Sequence, residues 1–196
     1  MGRIFLALSL VLSCGALVRA EGNADDKKNL FAEYMQKYGP PGPEHKLLEP
    51  LVGTWNSKCK MWMDPTQAPA LSEGTLVRKS ILGGRFIQEE FDGKMMDQPF
   101  QGIGTVGYDR AKQKFVATWI DSVSTALPIS YGTYDAATKT FTYKSEETIC
   151  PITKKPVKMR DTLKLVSNDE QVMEMYRQMG DEKEMKVMEI TLTRKK

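Results

Sequence analysis

From Trp55 onward, apolar and polar positions alternate with period two along most of the chain, the pattern of strands with one face turned to a core. In the first, Trp55, Ser57, Cys59, Met61 and Met63 share one face, and Asn56, Lys58 and Lys60 lie on the other. The same alternation predicts strands over 72–81, 85–92, 101–109, 114–121, 129–135, 140–146, 157–166, 170–178 and 184–194. About ten strands separated by turn-rich segments signal an antiparallel barrel or sandwich. Parallel βαβ units need crossover helices, and no second long helical pattern interrupts the series. An all-β, antiparallel up-and-down barrel is the expectation, because closure removes the exposed edges that so many strands would otherwise present.

One helix precedes the strands. In "DDKKNLFAEYMQKY" (25–38), Leu30, Phe31, Tyr34, Met35 and Tyr38 recur at helical spacing, and "GPPGP" (39–43) stops the run. This stripe is expected to dock on the domain, a partner or membrane surface being the alternative. Upstream, "MGRIFLALSLVLSCGALVRA" reads as a secretory signal, with Arg3 before an apolar run and Val18-Arg19-Ala20 as the cleavage site. The run from Ile4 to Val18 is shorter than the roughly 20 residues a spanning helix needs. Cys14 raises a rival reading as a lipoprotein site, although Leu12 is bulky for it and Gly15–Val18 stays apolar. The chain thus divides into 1–20 (signal), 21–43 (helix and Pro/Gly linker) and 44–196 (one barrel domain), with a periplasmic or secreted destination and no transmembrane span once the signal is removed.

Two short stretches echo each other. "GYDRAKQKF" (107–115) and "TYDAATKTF" (133–141) match at Tyr-Asp, Ala and Phe with an offset of 26. Each is read as a hairpin in which Asp109 or Asp135 accepts hydrogen bonds from turn amides. Gly83-Gly84 is expected to supply a sharp bend, and Gly102, Gly104 and Gly107 in "QGIGTVGYD" a similar one. A phosphate-binding loop does not fit these glycines, since no helix follows and no P-loop lysine is present.

"RFIQEEFD" (85–92) splits into Arg85, Ile87, Glu89 and Phe91 against Phe86, Gln88, Glu90 and Asp92. Other strands oppose an apolar face to one of Arg, Glu, Tyr, Thr and Gln. Either the polar faces meet solvent, or some line a cavity carrying Arg85, Glu89 or Glu90, Arg160, Glu174, Tyr176 and Glu189.

Composition is that of a soluble globular chain of 196 residues, 41% hydrophobic and 27% charged. Removing residues 1–20 takes away Arg3 and Arg19, so the net charge falls from +3 to +1. With no basic cluster interleaved with aromatics, nucleic acid is not an expected partner. Cys59 and Cys150 either pair as a disulfide or remain buried thiols; spacing alone does not decide. His45, the single histidine, is too few for a His-rich zinc site, and no G-x-S-x-G accompanies it. Haem ligation is one role for it; capping or packing at the barrel mouth is the favoured one, and no metal site is expected.

"PGPEHKLLEPLVGTWNSKCKMWMDP" (41–65), "ILGGRFIQEEFDGKMMDQPFQGIGTVGYD" (81–109), "WIDSVST" (119–125), "GTYDAATKT" (132–140) and "EMKVMEITLTR" (184–194) together resemble the uncharacterised bacterial family named domain of unknown function 1579. The resemblance implies a calycin-like barrel similar in shape to lipocalins and fatty-acid-binding proteins, often behind a signal peptide. It implies no established activity, and Cys59 and Cys150 are not part of its pattern.

Three functions remain. The preferred one is a secreted or periplasmic barrel binding a small, amphipathic molecule, with Trp55, Arg85, Glu89, Trp119, Arg160 and Tyr176 facing it. The second is an enzyme with Glu89 or Glu90 as general base beside Arg85 or Arg160. The third is a ligand-free envelope module. Ligand identity, any cofactor and the oligomeric state are open at this point.

Overall fold

The computed structural model describes residues 24–196. The signal reading of residues 1–20, with Cys14, lies outside the described residues. Helix α1 (Ala24–Tyr38) forms where the apolar spacing predicts it. Its Leu30, Phe31, Tyr34 and Met35 are exposed.

The remainder is a barrel entered through a short plug. Helix α2 (Pro43–Lys46) and a 3-10 turn (Glu49–Leu51) carry the chain into β1 (Gly53–Met61). Then follow β2 (Ala70–Ile81), β3 (Phe86–Met95), β4 (Gln98–Asp109), β5 (Lys114–Asp121), β6 (Ile129–Asp135), β7 (Thr140–Ser145), β8 (Thr148–Ile149), β9 (Pro156–Leu165), β10 (Glu170–Met179) and β11 (Met185–Arg194). Neighbours in sequence pair antiparallel from β1 to β7, then β7 pairs with β9, β9 with β10, β10 with β11 and β11 with β1. Ten strands therefore close a ring, and β8, which alternation did not reveal, is a two-residue extension beside β9.

One end is filled and plugged. Leu48 and Leu51 pack with Ile87, Val106, Phe115, Phe141 and Leu163. The sequence echo builds part of this end. Asp109 Oδ1 accepts from the Ala111 and Lys112 amides, Asp135 Oδ1 from the Ala137 amide, and Gln113 and Lys139 take the same left-handed turn at φ 54° and 53°. Each turn returns an aromatic to its tyrosine, Phe115 to Tyr108 and Phe141 to Tyr134, and Phe115 and Phe141 then meet edge to face at 5.0 Å.

Long side chains latch the plug by its carbonyls. Arg85 Nε donates to Gly39 O, Arg110 to Pro40 O, Arg194 to Pro50 O and Val52 O, and Trp55 Nε1 to Leu51 O. These donors satisfy irregular backbone that would otherwise lack partners.

Candidate functional site

Strand parity decides which side chains enter the barrel. The alternating burial of β1, β2 and β3 turns Trp55 and Ser57, Leu76 and Arg78, and Ile87 and Glu89 inward. Three of the inward groups are buried and strongly polar. Arg78 Nε donates to Glu89 Oε1 at 2.5 Å, and Arg78 Nη1 donates to Gln171 Oε1 at 2.6 Å. Arg78 and Glu89 face each other across the β2–β3 ladder, whereas Gln171 sits on β10, which neighbours neither strand. The second bond therefore spans the interior. Gln171 Nε2 in turn donates to Pro50 O, joining the plug to the same network. A buried ion pair of this kind is costly to break by removing one partner.

A second polar pair lies beside this network. Tyr143 on β7 and Asp161 on β9 are direct cross-strand partners. Tyr143 is 7% exposed. Neither its hydroxyl nor Asp161 Oδ1 has a hydrogen-bond partner among the described residues. Burial pushes the Tyr143 phenol up, with Glu89 adding to the effect and Arg78 opposing it, so β7 looks across the interior at β2 and β3. Burial likewise raises the Asp161 carboxyl to about 6, opposed only by Arg160. Two polar groups left unpaired in a folded interior forgo stabilisation that a hydrogen-bonding partner would restore.

Toward the other end the inner wall is mostly apolar and only half-buried: Phe91, Trp119, Met159, Met175 and Met188 line it, and Arg177 shares the inward face of β10. The indole of Trp119 lies flat on Gly102 and Gly104, and a Cβ at Gly102 would collide with the ring. At Gly104 a Cβ would meet Glu89 Oε2 at 2.9 Å. The glycines of "QGIGTVGYD" thus clear space for an aromatic and a carboxylate, where the sequence suggested a bend. Gly83 and Gly84 do turn the chain, at φ 67° and 83°, but in the β2–β3 connection and not within a strand.

The residues expected to face a ligand divide. Trp119 and Glu89 point inward. Trp55 also points inward but is sealed, fully buried with the Arg194 guanidinium 4.2 Å over its ring. Arg85 belongs to the β2–β3 turn, outside the barrel, where it holds Gly39 O and Leu82 O. Arg160 and Tyr176 are on the outer surface, because their parity in β9 and β10 is opposite to that of Asp161 and Gln171. There Arg160 grips Glu184 with a forked pair of bonds and stacks 3.9 Å over the Tyr176 ring. Glu174 and Glu189 are outside too, bridged by Lys186. Glu90 is exposed.

The polar faces therefore meet solvent. Several interior polar groups interrupt apolar faces: Arg78 after Leu76, Glu89 between Ile87 and Phe91, Gln171 before Met173, and Asp161 between Met159 and Leu163. Sequence reasoning passed over Arg78, Gln171 and Tyr143. The available signal was a single charged or amide residue interrupting an otherwise greasy face.

Cys59 and Cys150 are free thiols, which removes the disulfide. Cys59 is on β1 and Cys150 sits beside β9, with β10 and β11 between them in the ring. Three strand spacings of about 4.8 Å exceed the reach of a disulfide. His45 caps and packs: the Gly42 amide donates to its Nδ1 at 3.0 Å, its ring stands edge-on to Tyr108, and burial lowers its pKa. No cluster of metal-ligating side chains occurs among the described residues. An external cleft of about 420 Å³ beside His45 is walled by the plug and by Ser80, Gly83 and Gly84 of the β2–β3 turn.

Residues 40–194, which contain the plug and every strand of the ring, match the family described as "Protein of unknown function (DUF1579)". The chain belongs to this family. The DUF1579 barrel is similar in fold to the crystal structure of Rv2717c from M. tuberculosis, with a TM-score of 0.60, 16% identity, and 80% of this chain and 100% of that one covered. It is also similar to the S-type phycobiliprotein lyase CPES from Guillardia theta, with a TM-score of 0.51, 12% identity, and coverage of 81% and 95%. No curated protein sequence matches it. No described helix of this DUF1579 chain is long and apolar enough to cross a membrane.

Proposed function

We propose that the barrel binds a small amphipathic molecule in the half of its interior away from the plug. The observation that carries this reading is the contrast between the two halves. Beside the plug the inner side chains are fully buried against one another. Beyond Tyr143 and Asp161 the inner wall carries large apolar side chains that stay half-exposed, Phe91, Trp119, Met159, Met175 and Met188, with Arg177 on the same inward face farther from the plug. An apolar concave wall with a few polar groups at its base is the usual make-up of a small-molecule site. Methionines adapt to irregular apolar shapes, which suits such a wall. The enzymatic alternative built on Glu89 or Glu90 loses ground here, since Glu89 is engaged by Arg78 and Glu90 is exposed. Export to the periplasm or exterior, read from residues 1–20, belongs to the same proposal and suits a carrier or receptor.

Titration with 1-decanol, a neutral amphiphile, followed by tryptophan emission, tests the reading. Trp55 is sealed and Trp62 lies beneath Lys186, so Trp119 is the reporter in the wall. A saturable change in emission, lost in Trp119→Phe, is expected. Absence of saturable binding, or a change that persists in Trp119→Phe, overturns it.

A further inference from the structure

The Tyr143–Asp161 pair specifies more than an apolar ligand. Resting on the interior-binding reading above, we infer that the site selects a ligand whose polar head is a protonated amine, seated between Asp161 and Tyr143 with its apolar body along the methionine wall.

The argument is one of charge and hydrogen-bond supply. The cation deep in the interior is Arg78, 4% exposed, and it is already held by Glu89 and Gln171. A ligand carboxylate would therefore find its natural partner occupied. Asp161 is the opposite case, its buried Oδ1 an acceptor without a donor among the described residues. From β7 it faces Tyr143, and from β10 the uncharged Met175. On its own strand its inward neighbours are Met159 and Leu163. Arg160 lies on the outer side and is taken by Glu184. Arg177 shares the inward face of β10, but it lies two positions beyond Met175, opposite Met159 and farther from the plug, with its Nη2 directed to Met185 Sδ, and it is not among the charges acting on Asp161.

An ammonium group supplies what is missing. It offers donors to Asp161 Oδ1 and to the lone pairs of the Tyr143 hydroxyl, and a counter-charge to the carboxylate. The desolvation of Asp161 is already a property of the fold, so ligand binding does not have to supply it, the condition under which a buried pair adds affinity. The carboxyl near 6 fits this arrangement: ionised above that pH and available to an amine, neutral below it.

The test compares decylamine, 1-decanol and decanoate at pH 7.5 by calorimetry on wild type, Asp161→Asn and Tyr143→Phe. Decylamine is expected to bind at least tenfold tighter than decanol, and decanoate weaker than both. In Asp161→Asn the amine preference should fall to within about twofold, with decanol affinity retained, which also shows that the variant is folded. Tyr143→Phe should weaken decylamine several-fold. The preference should collapse in wild type at pH 4.5. If decanol binds and decylamine is no tighter, or if the preference survives Asp161→Asn, the amine inference is overturned while the interior-binding reading stands, and a buried water then satisfies the pair. If none of the three binds, both are overturned.

Discussion

Asp161 is the residue at which stability and function pull apart. Its carboxyl holds a proton up to about pH 6 in the folded chain but only to about 3.8 when solvated. The folded state thus binds the proton more tightly, so stability is fully present at low pH and is lost as pH rises through 6. The shift corresponds to roughly 2–3 kcal/mol when Asp161 is ionised. Asp161→Asn should therefore unfold in urea at a higher concentration than wild type at pH 7.5, by roughly 2 kcal/mol, with the gap closing toward pH 4. A variant less stable than wild type at pH 7.5, or a gain independent of pH, would show that the carboxylate has a partner in solution. In the sequence Asp161 is set apart from Asp109 and Asp135 only by interrupting the face of Met159 and Leu163, where the other two lead turns. Only the faces of β7, β9 and β10 around it make it a buried charge, whereas Asp109 and Asp135 cap their own turns.

At the scale of the element, the β4–β5 ladder shows how a motif acquires its meaning from its partner strand. Gly102 and Gly104 sit opposite Asp121 and Trp119, and the indole occupies the space their missing side chains leave. Gly102→Ala must displace Trp119, since the new methyl would overlap the ring. We expect a loss of about 1–3 kcal/mol in stability, typical of overpacking, and a shift of tryptophan emission. The same substitution in a Trp119→Leu background should cost little. A wild-type emission spectrum in Gly102→Ala would refute this account of the glycines. The two echoed hairpins behaved differently. Their Asp-led turns, left-handed fifth residues and returning phenylalanines formed as read, because each is closed by contacts within a few residues of itself.

The barrel is a closed ring of ten strands plugged at one end, and among the described residues no disulfide ties it together. Cys59 and Cys150 are both free, so the thermal unfolding midpoint should be the same with and without dithiothreitol, and unfolded protein should take up alkylating reagent at both thiols. A midpoint that falls on reduction, or protected thiols in denaturant, would mean that they pair after all. The sequence by itself determined the strand series, the antiparallel order, the helix over 25–38 and the family, because period-two alternation, turn residues and helical spacing are local properties. It also carried Trp119 and Glu89 into the interior. What only the tertiary structure decided was which residues meet once the ring closes. Arg78 reaches Gln171 across strands 93 residues apart, Tyr143 comes to lie beside Asp161 with neither satisfied, Trp55 is sealed beneath Arg194, and Arg160 with Tyr176 faces out. Each of these outcomes depends on closure and register, which set long-range neighbours and burial, and a local pattern of residue types holds no record of either.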